Sequence, residues 1–100
     1  MTTHINHQPE QDCIIVTPAS LPDADEFELW GQIFLHLDGI TLLEFHLGAD
    51  RHQWRFSYAG HPYNLNFEHY SDSIWIMPEG LGATEHLPDL ATLFRLNLQQ

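Results

Sequence analysis

The chain contains no lysine, and its cations are limited to Arg51, Arg55 and Arg95. Fourteen aspartates and glutamates outnumber these three arginines, so the formal net charge at pH 7 is −11 over 100 residues. A surface this acidic repels the phosphates of nucleic acids and the head groups of anionic lipids. The composition therefore argues against nucleic acid and membrane surfaces as partners.

Cysteine and long apolar runs are also scarce. Cys13 is the single cysteine, so no intramolecular disulfide can form, and its apolar neighbours predict a small buried side chain. No apolar run approaches the roughly 18 residues that a membrane span needs. The first residues carry neither the basic nor the apolar region of a secretory signal. These features predict a cytoplasmic protein.

Apolar residues are nevertheless plentiful, at 43% of the chain including twelve aromatics. This content is too high for a disordered acidic chain, and the length suits one domain. Residues 1–9 are polar, contain Pro9 and lack periodicity, which predicts a mobile tail. The remaining residues, 10–100, are predicted to form a single α+β domain.

Two segments have the pattern of amphipathic helices. The first begins at Asp23, which forms a capping box with Glu26, and is expected to end at Gly39. Its apolar stripe comprises Phe27, Trp30, Phe34 and Leu37, with Ile33 beside them. The second begins at or just after Thr84, with Pro88 in its first turn. Its stripe comprises Leu87, Leu90, Ala91, Phe94 and Leu98. Leu93 widens this stripe, and Leu96 lies outside it.

The strands are predicted from alternation. Residues 10–17 form a first strand, and residues 41–77 form four more, separated by turn signals at 49–52, 60–61 and 71–72. The predicted cross-strand pairs are Leu47–Trp54, Phe45–Phe56, Phe56–Leu65, Trp54–Phe67, Tyr58–Tyr63, Phe67–Ile76 and His69–Ile74. These pairs place apolar residues on one face of the sheet, which a slip of one residue would destroy.

The element order is therefore β-α-β-β-β-β-α, which predicts a two-layer sandwich of a mostly antiparallel sheet with two helices packed on one face. Because one crossover helix joins them, we expect the first strand to lie parallel to the second, at that edge of the sheet. An antiparallel position beside the last strand is the alternative.

The face of the sheet opposite to the helices is the candidate binding surface. One predicted row contains His46, Arg55, Asn66 and Met77, and the next contains Glu68 and Trp75, with Tyr70 at its end. A solvated outer face is the default for such a sheet. However, Trp75 and Met77 are costly to leave in water, which favours an interaction patch. A structural ion pair between Arg55 and Glu68 is the simpler account of this arginine, and such a pair contributes little if it is exposed.

Chemistry of other kinds has little support in the sequence. The chain has eight histidines, but their spacing fits no structural zinc site, and one cysteine cannot supply thiolate ligands. No serine lies in a nucleophile turn, and no glycine-rich loop is followed by lysine. We therefore expect neither an enzyme nor a bound metal or cofactor.

The length, the acidity, the order of elements and the segment Glu68-His69-Tyr70-Ser71-Asp72-Ser73-Ile74-Trp75-Ile76 resemble a small family of uncharacterised bacterial proteins. The resemblance covers most of the chain from the first helix onward. It is to a domain of unknown function, so it implies no activity.

The leading hypothesis is a non-catalytic protein-interaction or accessory domain. One alternative is a mimic or sequesterer of a basic, nucleic-acid-binding partner, and another is small-molecule or metal binding on the outer sheet face. A homodimer is also expected, through either Leu93 and Leu96 or Trp75 and Met77. Its dissociation constant should fall with added salt and with falling pH, since both reduce the repulsion between acidic copies.

Overall fold

A computed structural model describes residues 3–98, which form six strands and three α-helices. The strands are β1 (His4–Gln8), β2 (Cys13–Thr17), β3 (Ile40–Leu47), β4 (Arg51–Tyr58), β5 (His61–Glu68) and β6 (Ser73–Pro78). The helices are α1 (Phe27–Phe34), α2 (Leu81–Glu85) and α3 (Leu87–Leu98). The strand order is β1-β2-β6-β5-β4-β3, and every neighbouring pair is antiparallel. The predicted α+β class is confirmed.

Helix α1 begins with the predicted capping box. The carboxylate of Glu26 accepts a hydrogen bond from the backbone N–H of Asp23 at 2.9 Å, and one 3-10 turn precedes the helix. The helix ends at Phe34, earlier than predicted, and the next residue, Leu35, is buried. Gly39 has a φ of +92°, so it turns the chain into β3 rather than ending the helix.

The predicted second helix is divided into α2 and α3. Pro88 occupies the first turn of α3, where a missing N–H leaves no helical hydrogen bond unmade. The stripe of α3 is buried as predicted at Leu87, Leu90, Ala91 and Phe94, whereas the side chain of Leu98 lies outside the described residues. Within residues 3–98, no helix is long and apolar enough to cross a membrane.

The helices cover one face of the sheet, where the core lies. The buried residues of that face are Ile14, Val16, Trp54, Phe56, Tyr63, Leu65, Phe67, Ile74 and Ile76. They alternate along their strands, as expected for a sheet with one buried face. The predicted two-layer arrangement is therefore present.

The strand pairing differs from the prediction by two residues in each of the three hairpins. Phe45 lies opposite Trp54, Phe56 lies opposite Tyr63, and Phe67 lies opposite Ile74. Because side chains alternate with a period of two, this shift leaves residues 44–78 on their predicted faces, whereas the irregularity between Leu42 and Glu44 reverses the alternation in residues 40–42. The faces of residues 44–78 are therefore correct although the individual pairs are not.

The predicted position of the first strand is wrong. The strand starts at Cys13 rather than residue 10, and as β2 it pairs antiparallel with β6, which was the alternative. The predicted mobile tail also requires correction, because residues 4–8 form β1 and pair with β2. Met1 and Thr2 lie outside the described residues.

Candidate functional site

The outer face of the sheet, opposite to the helices, carries six of the seven residues predicted to form a binding surface, and Tyr70 lies in the turn between β5 and β6. Their neighbours differ from the prediction because of the shift in pairing. One row contains His46, Gln53, Asn66 and Trp75, and the next contains Glu44, Arg55, Asn64 and Met77. The predicted row of His46, Arg55, Asn66 and Met77 is therefore divided between two rows.

Arg55 is held by two carboxylates. Its Nε and Nη2 atoms each donate to Glu79 at 2.9 Å, and its Nη1 atom donates to Glu44 at 2.6 Å. These bonds lower the pKa of both carboxyls, helped at Glu44 by His46 and at Glu79 by Asn64. Arg55 thus pairs with Glu44 and Glu79 rather than with Glu68, which accepts a hydrogen bond from the hydroxyl of Ser71 instead.

Other groups on the outer face also pair with each other. The guanidinium of Arg51 lies 5.2 Å from the ring centroid of Trp75, close enough for a cation–π contact. Asn66 is buried, and its Oδ1 atom accepts a hydrogen bond from Gln53 at 3.0 Å. Tyr70 remains 83% exposed. Most of the polar groups predicted as a site thus have partners within the sheet.

Replacing Trp75 with alanine tests whether this tryptophan supports the fold. Trp75 is half-buried and covered by Arg51, so its loss should cost less than the about 3–5 kcal/mol of a buried tryptophan. Trp54, which is 7% exposed, is the matched control, and its change to alanine should cost that full amount. Urea denaturation measures both. Equal losses of stability in the two variants would show that Trp75 belongs to the core and is not part of a binding surface.

A cleft on the helical side was not predicted. It has a volume of about 600 Å³ and lies between α1 and the loop before it, formed by residues 18–22. A second cleft of about 330 Å³ shares Thr3, Trp30 and Ile33 with the first and continues towards α3. We refer to both together as the α1 cleft.

Stacked aromatic rings run beneath the α1 cleft. Phe27 and Trp30 are 6.0 Å apart between ring centroids, Trp30 and Phe34 are 5.0 Å apart, and Phe34 and Phe94 are 4.7 Å apart. Trp30 and Phe34 are only half-buried, so these two rings are accessible from the cleft. The row offers a rigid apolar surface that costs little conformational entropy to use.

The rim of the α1 cleft combines apolar and acidic side chains. Leu29 is 62% exposed and Ile33 is 68% exposed, although both lie on the same helix as the buried Phe27. Asp25 and Glu26 line the same cleft, and none of the three arginines does. The cleft therefore presents uncovered apolar surface beside negative charge.

Two pairs of histidines also lie on the helical side. The Nε2 atoms of His52 and His69 are 3.2 Å apart, and the rings of His61 and His86 are 4.7 Å apart. Residues 3–98 contain no group of three or more histidine, cysteine, aspartate or glutamate side chains that could hold a metal ion. His52 also contacts Phe27 of α1, and His86 lies between α2 and α3, so both pairs lie where the helices meet the sheet.

Comparison with known proteins identifies a family without a known activity. No curated protein matches the chain. No solved structure matches it either. One family model covers residues 2–95, which is nearly the whole chain. The chain therefore belongs to the family described as Protein of unknown function (DUF3630).

Proposed function

We propose that the protein is a non-catalytic interaction domain whose α1 cleft binds a basic, apolar segment of a partner protein. The observation that carries this proposal is the exposure of Leu29 and Ile33 above an accessible aromatic row, with Asp25 and Glu26 at the same rim. The low cysteine content fits a cytoplasmic location, which we propose with it.

Apolar contact would supply the affinity. Fully burying one leucine or isoleucine side chain contributes about 1.5–3 kcal/mol, and Leu29 and Ile33 are both more than half exposed. They are one helical turn apart, at i and i+4, so one segment laid along α1 can cover both. Such a segment needs apolar side chains with a similar spacing.

Charge would select the partner. Asp23, Asp25, Glu26 and Glu28 lie within one short stretch beside the cleft, on a protein with a net charge of −11. Lysine or arginine in the bound segment would therefore be attracted, and acidic segments would be repelled. This attraction also predicts binding that weakens as salt is added.

A lysine–leucine peptide designed as an amphipathic helix is a suitable probe, with a scrambled peptide of the same composition as reference. Isothermal titration at low salt should show tighter binding of the amphipathic peptide. The double change of Leu29→Gln and Ile33→Gln should weaken it at least about tenfold, equivalent to 1.4 kcal/mol. Leu81→Gln is the matched control, because Leu81 is also exposed but lies on α2.

Two results would reject the α1 cleft as the binding site. One is equal affinity for the amphipathic and scrambled peptides, which would indicate attraction by net charge alone. The other is the same loss of affinity in Leu81→Gln as in the double variant. In either case the acidic surface would act without the apolar cleft.

Two further roles remain proposals. Sequestration of a basic, nucleic-acid-binding partner is compatible with the acids beside the cleft, and competition between that partner's nucleic acid and this protein would test it. Small-molecule or metal binding on the outer face has weaker support, because Arg55 and Glu44 already bind each other there.

A further inference from the structure

The two edges of the sheet differ in how they are covered. At the β1 edge, α3 packs against the strand, and the Nε atom of Arg95 donates to the backbone carbonyl of Ile5 at 3.4 Å. At the opposite edge, β3 has β4 as its hydrogen-bonded neighbour, and no other strand of residues 3–98 pairs with it. The outward backbone groups of β3 are therefore available for pairing.

Strand β3 also carries exposed apolar side chains. Leu42, Leu43 and Leu47 are exposed, with Leu47 at 72%. Edge strands are usually protected by lysine, proline, charge or a bulge. The chain has no lysine and β3 has no proline, although the pairing with β4 is irregular between Leu42 and Glu44. Residues 44–47 beyond this bulge pair regularly, and they form an open segment.

The β3 edge is nearly neutral although the protein is strongly acidic. Its one acid is Glu44, which binds Arg55 at 2.6 Å and lies 3.4 Å from the Nε2 atom of His46. The side chains of Glu44 and His46 are each about half exposed and lie on the outer face. A second copy can therefore approach this edge with less local repulsion than the net charge suggests.

The alternation of side chains limits how two β3 strands can pair. We consider two copies related by a two-fold axis perpendicular to the sheet, which keeps the helices of both copies on the same face. The axis must then lie between one residue of β3 and the same residue of the second copy, so that side chains of the same face lie opposite each other. An axis at Glu44 places two acids opposite each other, and an axis at His46 places two imidazoles opposite each other. An axis at Phe45 places Glu44 opposite His46 of the second copy, twice.

From the open edge, its near-neutral charge and the complementary placing of Glu44 and His46, we infer that the β3 edge is a homodimer interface. Two copies pair antiparallel about Phe45 and form one continuous twelve-stranded sheet. The Glu44 and His46 pairs fix the register on the outer face. Leu42, Phe45 and Leu47 add apolar contact on the helical side. The surface is separate from the α1 cleft, so dimerisation and partner binding can be tested independently.

Sedimentation equilibrium of the full chain at tens of micromolar tests the interface. The wild type should be a dimer, and His46→Glu should be a monomer, because it sets two carboxylates opposite each other. His4→Glu is the matched control, since it makes the same charge change on β1 and should stay a dimer. The double variant that exchanges the two residues, Glu44→His with His46→Glu, should again be a dimer, because a carboxylate and an imidazole then lie opposite each other as in the wild type.

Amide hydrogen exchange gives a second readout, since β3 amides should exchange more slowly as the protein concentration rises. A wild type that stays monomeric at these concentrations would overturn the inference and leave the edge for a different partner. So would a His46→Glu variant that remains a dimer, because the contact would then lie elsewhere. Failure of the exchanged variant to dimerise would overturn the register.

Discussion

Replacing Gly31 with alanine is expected to destabilise the protein by about 1–3 kcal/mol, although alanine is usually favoured over glycine inside a helix by about 1 kcal/mol. A Cβ atom at this position would lie 2.5 Å from the Cδ1 atom of Trp54 and 2.9 Å from its Nε1 atom. The indole cannot retreat easily, because it is buried and donates a hydrogen bond to the carbonyl of Glu28 at 2.9 Å. Urea denaturation measures the loss.

The close contact between α1 and β4 can be isolated by a double-mutant cycle. In a Trp54→Ala background the indole atoms that meet the Cβ atom are absent, so Gly31→Ala should become neutral or stabilising. The sign of the Gly31→Ala effect therefore reports the contact rather than general helix propensity. A loss of the same size in both backgrounds would show that Trp54 is not the obstacle.

Acid should weaken the fold in the range of histidine titration. His52 is 6% exposed and contacts Phe27, Phe45 and Phe67. Burial lowers the pKa of His52, and neighbouring His69 lowers it further, while the Ala24 carbonyl acts in the opposite direction. The folded protein therefore holds its imidazole neutral at pH values where the unfolded chain accepts a proton.

The lower pKa of His52 in the folded protein determines the direction in which stability changes with pH. The stability that a neutral His52 contributes is present above the ordinary pKa of 6.5 and declines as the pH falls below it. One such group lowers the free energy of unfolding by at most about 1.4 kcal/mol per pH unit. The carboxyls of Glu44 and Glu79, whose pKa values are lowered, titrate in a separate and more acidic range.

Denaturation at several pH values between 7.5 and 5.5 measures this dependence. His52→Phe should flatten it, because phenylalanine fills the aromatic cluster and carries no proton. His36→Gln changes an exposed histidine and should keep the wild-type dependence. If His52→Phe and the wild type lose stability equally as the pH falls, the buried imidazole does not cause the acid sensitivity.

The faces of the sheet could be predicted from sequence, but the strand register could not. Alternation of apolar residues determines which side chains point to the helices, and it is unchanged by a shift of two residues. The register depends on turn geometry, and the turn between β4 and β5 uses Ala59 and Gly60, both with positive φ. Alanine rarely adopts this conformation, so the sequence does not signal so tight a turn.

The same shift explains why the predicted site residues have different neighbours from those expected. Arg51 was assigned to a turn, whereas it begins β4 and covers Trp75. Arg55 was placed beside Glu68, whereas the observed row gives it Glu44, and Glu79 reaches it from beyond β6. Long-range pairs of this kind follow from register, which a single sequence leaves undetermined.

The α1 cleft was missed for a different reason. Leu29 and Ile33 form a second stripe beside the one that the sheet buries, and a widened stripe normally indicates a wider core contact. Here α1 ends at Phe34 and the chain turns towards β3, so no element of residues 3–98 covers that second stripe. A periodic pattern indicates which side is apolar, but not whether another element reaches it.

The unequal edges of the sheet also limit the size of any assembly. A sheet with two open edges can add copies at both ends and grow into a filament. If two copies pair through β3 as inferred, each outer end of the joined sheet is a β1 strand, against which α3 packs and to whose Ile5 carbonyl Arg95 donates a hydrogen bond. A third copy would then have to displace these contacts before it could add a strand, so the inferred pairing favours a dimer over a growing fibre.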